Sequence, residues 1–340
     1  MFDKINLKEA INDLWDSGLR NDNLVMLYLL NKNNKAIIKT PVGDTKEINI
    51  DENVLQGGSW GPLKASNQMD TIGKESLKTG ENVYMYRGSQ PIAALEMVDD
   101  ILAIAECGVQ SIITNAYINT KVEMKNLKFG VKAGKAKCHQ IHIGKSENKC
   151  PTLFAHDIKI EKVTEDTYVG DVVSSDGKFT KNIKSRASKA TGMSTQIMTM
   201  LREVSLGYHY FNISSIFRNM MFNSSILTNS EVWYPLNESD LKDLISADKN
   251  ILRKIFGVPV STPIYLIYLE SGEIPINYII KSRRINYLHY LLNSPKGEML
   301  SNVFQNQIRH PLKGDWVEIV KRDLQDFNIN YSFEQIKKPY

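Results

Sequence analysis

The sequence predicts an α+β protein in which a mixed first half is followed by an all-helical second half. In the first half, short apolar runs with a period of two alternate with helical patterns, and turns containing glycine or proline separate them. After the turn sequence Ser174-Ser175-Asp176-Gly177 the pattern changes to long amphipathic stretches. We therefore expect an α+β domain over residues 1–180 and a helical domain over residues 181–340.

The elements of the first half follow from local patterns. Apolar residues at helical spacing between Leu7 and Trp15, with Gly18 as a stop signal, predict the first helix. The turn sequence Pro41-Val42-Gly43-Asp44 predicts a hairpin, because strand-like runs flank it on both sides. The remaining predicted helices cover residues 23–31, a segment ending near Leu77, and 109–123, and the remaining predicted strands cover 84–86, 92–98, 102–106, a segment near 130, 138–143 and 158–163.

Start and stop signals define the helices of the second half. Ser239 is a candidate N-cap, Gly257 is a candidate stop, and Pro275 opens a further helix. We expect Arg283 and Arg284 to lie on the surface of that last helix, where they could contact a phosphate backbone or simply face solvent.

Composition limits the class of protein and its partners. The chain has 340 residues, a net charge of +4 and three cysteines, too few for a disulfide framework, which favours a reducing compartment. Basic residues are concentrated at 121–149 and 178–189, and the second run includes Arg186; such runs suit either a phosphate backbone or a solvated surface. Neither a signal peptide nor an apolar run of about 20 residues is visible. We expect a protein of the cytoplasm or nucleus that is not secreted and has no membrane partner.

Two adjacent carboxylates, Asp99 and Asp100, lie between the apolar runs 92–95 and 101–104. This arrangement predicts a hairpin with a charged tip. Neighbouring aspartates repel each other unless a cation compensates them, so a divalent metal is one interpretation, and an ordinary solvated turn is the other.

A glycine-rich segment precedes the acidic pair and reads Gln56-Gly57-Gly58-Ser59-Trp60-Gly61-Pro62. Glycines permit close approach of a ligand, and a proline is favoured at the first position of a helix. A glycine loop that opens a helix is suited to phosphate, although an ordinary structured loop has the same composition.

Four motifs occur in a fixed order along the chain: the glycine loop, Val98-Asp99-Asp100, Lys137-Cys138, and Tyr168-Val169-Gly170 followed by Ser174-Ser175-Asp176-Gly177. In this order and spacing they resemble the reverse transcriptases of non-LTR retrotransposons. The resemblance covers residues 1–190, and residues 211–326 are similar to the helical region that follows in such elements.

The resemblance implies a partial polymerase palm, an antiparallel sheet with packed helices, followed by a helical thumb and post-thumb region. It implies RNA-directed DNA polymerase activity, with an RNA template, a DNA primer, deoxynucleoside triphosphates and two magnesium ions. The residue roles that it implies are metal ligands for Asp99 and Asp100, leaving-group assistance for Lys137, the nucleotide pocket for Gln56, Gly57 and Pro62, sugar selection for Phe2, and primer positioning for Tyr168 and Gly170. Lys137 is equally typical of a surface lysine.

The chain departs from the family at the position of the family's first motif. Phe2-Asp3 matches only its end, so the first metal-binding aspartate would fall before Met1. We therefore expect a truncated fragment that polymerises poorly or not at all. A nucleic-acid-binding protein without catalysis and a genomic relic are the alternatives.

Overall fold

The computed structural model describes residues 7–32, 34–50, 66, 83–88, 90–98, 100–125, 127–132, 134–144, 150–203, 210–234, 238–295, 297–330 and 332–336. The chain forms two compact units, Met1–Val169 and Gly170–Tyr340. The predicted helix ending near Leu77, the glycine loop, Phe2 and Asp99 lie outside the described residues. Short strands and helices make up the described part of the first unit and helices dominate the second, so the chain is α+β, as predicted.

The described helices of the first unit are α1, α2 and α3, and they span Leu7–Asp16, Asp22–Asn31 and Gly108–Met124. Its strands are β1 (Asn34–Ala36), β2 (Lys39–Thr40), β3 (Gly43–Asp44), β4 (Ile48–Ile50), β5 (Tyr84–Tyr86), β6 (Gln90–Ile92), β7 (Ala94–Met97), β8 (Asp100–Ala103), β9 (Val131–Lys132), β10 (Lys135–Ala136), β11 (His139–Gln140), β12 (Phe154–Ala155), β13 (Ile158–Lys159), β14 (Glu161–Lys162) and β15 (Glu165–Tyr168).

These strands pair as separate two-stranded ladders. The antiparallel pairs are β1 with β4, β2 with β3, β5 with β6, β7 with β8, β9 with β10 and β12 with β13. The β11–β14 pair is parallel. Within the described residues, the first unit is therefore a set of two-stranded ladders, most of them antiparallel, and such ladders depend on packing against other elements for stability.

The second unit begins with β16 (Asp171–Ser174) and continues with helices. The helices are α4 (Thr180–Glu203), α5 (Tyr210–Phe217), a π-helical turn (Arg218–Asn223), α6 (Ser224–Ile226), a 3₁₀ turn (Ser230–Val232), α7 (Glu238–Phe256), α8 (Ile264–Ser271), α9 (Ile276–Asn293), α10 (Met299–Arg309), α11 (Trp316–Asp326) and α12 (Phe333–Ile336).

Two apolar clusters hold these helices together. The larger one joins α4, the π-helical turn and α7 around the fully buried Trp233. The smaller one joins α9, α10 and α11 around Trp316. The predicted boundaries at Gly257 and Pro275 are confirmed, because α7 ends one residue before the first and α9 begins one residue after the second. Within the described residues, none of the helices combines the length and apolar character that crossing a bilayer requires.

Candidate functional site

The acidic hairpin predicted at Asp99 and Asp100 is formed by β7 and β8. Pairing runs from Ala94 opposite Ala103 to Met97 opposite Asp100, and Val98 follows β7 as a turn residue. Val98 has a φ of 60°, a value that branched side chains rarely adopt and that tight hairpin turns require. Asp100 is exposed at the tip, whereas Asp99 lies outside the described residues. Strained backbone of this kind is common at functional sites.

Helix α3 supports one face of this hairpin. Ile101 of β8 packs against a buried cluster of Ile118, Val122 and Leu127. The hairpin is extended by a hydrogen bond from the backbone N–H of Ile104 to the carbonyl of Ala93, at 2.9 Å. Because its base is packed in this way, the hairpin presents its acidic tip from a fixed support.

Tyr168 of β15 lies beside this hairpin. Its hydroxyl donates a hydrogen bond to the carbonyl of Leu95 in β7 at 3.0 Å, although 73 residues separate the two along the chain. Burial raises the pKa of the Tyr168 phenol above its usual value of 10.0, and the nearby carboxylates of Asp100 and Glu96 raise it further. The structure therefore brings one predicted primer-positioning residue close to one predicted metal ligand, and it keeps that tyrosine protonated at neutral pH.

Lys137 is not in contact with Asp100. Its backbone N–H donates to the carbonyl of Gly130 at 2.8 Å, and its side-chain stem lies against the same glycine, so that a Cβ built there would come within 2.9 Å of Cδ. In the part of the chain that the structure describes, neither a hydrogen bond nor an ion pair joins Lys137 to Asp100. The leaving-group role of Lys137 stays a prediction.

Five other predicted site residues lie outside the described part of the chain. They are Phe2, Gln56, Gly57, Pro62 and the metal ligand Asp99. The described residues contain no group of three or more histidine, cysteine, aspartate or glutamate side chains arranged to hold a metal ion. The predicted nucleotide pocket and magnesium ligands therefore stay predictions.

Gly170, the other predicted primer-positioning residue, begins the second unit. Its φ of 84° lies in the region that favours glycine. Its carbonyl accepts a hydrogen bond from Nη2 of Arg186 at 2.8 Å. Arg186 also donates to the carbonyl of Ser225 at 2.7 Å and to the carboxylate of Asp171 at 3.1 Å. One buried arginine of α4 thus fixes the backbone at Gly170.

Two asparagines complete this cluster, and the assignment of Arg186 to a basic run facing phosphate or solvent is wrong, because its side chain is buried against Asp171. Asn182 donates to Asp171 Oδ1 at 2.8 Å and Asn229 donates to Asp171 Oδ2 at 2.6 Å. A signal was available, because Arg186 lies at helical spacing between the apolar residues Ile183 and Ala190. A charged residue within an apolar stripe indicates a buried ion pair.

The surface placement predicted for Arg284 is wrong. This arginine is 4% exposed, and its guanidinium contacts Asp323, with 3.0 Å between Nη2 and Oδ1. Arg283 donates to the carbonyl of Leu227. A carboxylate partner from α11 compensates the buried charge of Arg284, and helical periodicity alone does not show such a partner.

Comparison with known proteins adds no relative. No protein-family model matches the chain, and none of the curated proteins matches it. The resemblance to reverse transcriptases therefore depends on the sequence motifs alone.

Proposed function

We propose that the chain carries the later part of a reverse transcriptase palm, followed by a helical thumb and post-thumb region, and that it binds an RNA template paired with a DNA primer. The observation that supports this proposal is the position of Tyr168 against the acidic hairpin. The resemblance implies that these two motifs serve the same primer end. The hydrogen bond from Tyr168 to Leu95, three residues before Val98 in the same hairpin, supports such a shared site.

The residue types proposed as metal ligands have the chemistry that magnesium requires. Carboxylate oxygens are the ligands that this ion prefers, and Asp100 is exposed where an ion and a triphosphate could reach it. Asp99 and Asp100 would hold the ion, which when bound would polarise the primer hydroxyl and the triphosphate. Tyr168 keeps its proton at neutral pH and orients β15 against β7 through its hydrogen bond to Leu95.

Primer extension tests this proposal directly. The full chain is incubated with an RNA template, a DNA primer, deoxynucleoside triphosphates and magnesium. We expect weak extension at most, because Phe2-Asp3 matches only the end of the family's first motif. Any extension that is detected should fall about a hundredfold in the Asp99→Asn and Asp100→Asn variants, because each removes one negative charge from the proposed metal ligands. Asp157→Asn is the matched control, since Asp157 is also an exposed aspartate next to a hairpin strand. Extension by either tip variant at the rate of the control would refute the catalytic proposal.

A second candidate function is binding of nucleic acid without catalysis. The observation that favours it is a group of exposed lysines in the segment around β9 and β10: Lys128, Lys132, Lys135 and Lys137. Lysines that neutralise phosphates release counterions, so the affinity should fall steeply with salt. Binding to a primer–template duplex that weakens with salt, together with no extension product, would favour this function over polymerisation.

A further inference from the structure

A cavity of about 320 Å³ lies in the second unit, next to helices α4 and α7 and the chain that leaves α7. Its volume falls at the lower end of the range for small-molecule sites. Ala247, Val258 and Val260 provide apolar surface, and Asn250 and Thr191 provide polar atoms. The chain turns at Gly257, whose φ of 64° allows the segment with the two valines to leave the helix there.

Two cations complete the lining. Arg253 and Lys254 belong to the last turn of α7, and the described residues that line the cavity include no carboxylate. Nη2 of Arg253 donates to the carbonyl of Thr262 at 3.3 Å, which restrains the guanidinium. Among the described residues, the ammonium of Lys254 has no hydrogen-bond or ion-pair partner. Among the described residues, Lys254 therefore contributes a positive charge without a side-chain partner to this surface.

Cations in a last helical turn also offset the helix dipole. That role requires neither an apolar wall nor a neighbouring amide. The combination found here, an apolar surface with an amide beside two cations, matches a ligand that has an apolar part, a hydrogen-bonding edge and an anionic part.

We propose that this cavity binds a nucleoside phosphate, with its phosphate at Arg253 and Lys254 and its base against Val258 and Val260. The amide of Asn250 is placed to hydrogen-bond the ligand. The same chemistry is offered by a free nucleotide and by one unit of a nucleic-acid strand. The proposal does not depend on the acidic hairpin, which belongs to the other unit.

The test measures binding of three probes to the full chain: adenosine monophosphate and adenosine by calorimetry, and a labelled twelve-nucleotide oligothymidine by fluorescence anisotropy. We expect the monophosphate or the oligonucleotide to bind, and Lys254→Gln to weaken that binding about tenfold, because a hydrogen bond to a charged group is lost. Adenosine should bind at least tenfold more weakly than its monophosphate. Lys242→Gln is the matched control, since Lys242 is exposed on the same helix and does not line the cavity.

The outcomes separate the two sources of the ligand. Lys254-dependent binding of the monophosphate identifies a free nucleotide, and Lys254-dependent binding of the oligonucleotide alone identifies a strand. If neither probe shows a larger effect for Lys254→Gln than for Lys242→Gln, the proposal is wrong. Thermal melts of both variants exclude unfolding as the cause. The polymerase proposal fails in a different experiment, primer extension by the tip variants.

Discussion

Removing Arg218 should destabilise the second unit more than any exposed substitution. This side chain has no exposed area, and its guanidinium contacts Asp248, which is also fully buried, and Glu273, which is 10% exposed. Tyr268 donates a further hydrogen bond to Asp248 at 3.0 Å. Arg218→Ala leaves two buried carboxylates without their cation, and such a change costs about 3–5 kcal/mol.

Thermal unfolding measures this cost. In a unit of this size 1 kcal/mol corresponds to roughly 2–4 °C, so the melting temperature should fall by about 6–20 °C. The fluorescence of the buried Trp233 reports on the same core. The control is Arg322→Ala, because Arg322 forms an ion pair with Glu318 four residues earlier on α11 while remaining 61% exposed. That substitution should cost about 0.5 kcal/mol or less.

The pH dependence of the Arg218→Ala variant has a definite sign. Burial raises the pKa of Asp248 above its usual 3.8, and Arg218 opposes that rise. Without Arg218 the pKa rises further, so the folded state binds a proton that the unfolded state has lost. Stability of the variant should therefore fall as the pH rises from about 4 through the raised pKa. A cost equal to that of Arg322→Ala, or one independent of pH, would refute the assignment of Arg218 as the buried counter-ion.

Three further predictions concern the site and its surroundings. Asp100→Asn should lower the pKa of the Tyr168 phenol, measured by ultraviolet titration, because one nearby negative charge is lost; an unchanged pKa would contradict their proximity. Gly170→Ala should lower the free energy of unfolding by about 1–2 kcal/mol in chemical denaturation, because φ is positive at this glycine. Gly192→Ala, within α4, should instead raise the free energy of unfolding by about 1 kcal/mol, and a change in the same direction for both variants would contradict this reasoning. Hydrogen bonds from Ser174 and Lys178 lower the pKa of Asp176. The ionised carboxylate therefore stabilises the fold above its usual pKa, and this stabilisation is lost as the pH falls through the lowered pKa. In Asp176→Asn the melting temperature should consequently fall less steeply on acidification than in the unchanged protein.

Helices were predictable from the sequence because their signals are local. The first helix, predicted over residues 7–18, is observed at Leu7–Asp16, and α3 extends the predicted 109–123 by one residue at each end. Strands were predicted less well, since their pairing is chosen by distant residues. The strand predicted over residues 158–163 is divided between β13, which pairs with β12, and β14, which pairs with β11.

The candidate site also has features that local sequence patterns could predict and features that they could not. The hairpin at Val98 could be predicted from its flanking apolar runs, and the structure contains it. The contact of Tyr168 with Leu95 could not, because no local pattern carries a distance across 73 residues. Arg186 was assigned to an exposed basic run because a charged residue on a helix ordinarily faces solvent, and its burial shows that this assignment was wrong. Its burial depends on the ion pair with Asp171, which lies before α4, and no local sequence pattern at Asp171 predicts that pairing.

Buried arginine–carboxylate pairs explain why the helical pattern alone underdetermines the second unit. Arg186 with Asp171, Arg218 with Asp248, and Arg284 with Asp323 each join different elements. Apolar stripes of similar composition can pack in several registers, whereas a buried charge is tolerated only opposite its partner. We therefore infer that these pairs select one helix arrangement. The arrangement matters for function, because the pair at Arg186 also holds the backbone of Gly170, so a change in this register would displace the turn that the resemblance assigns to the primer end.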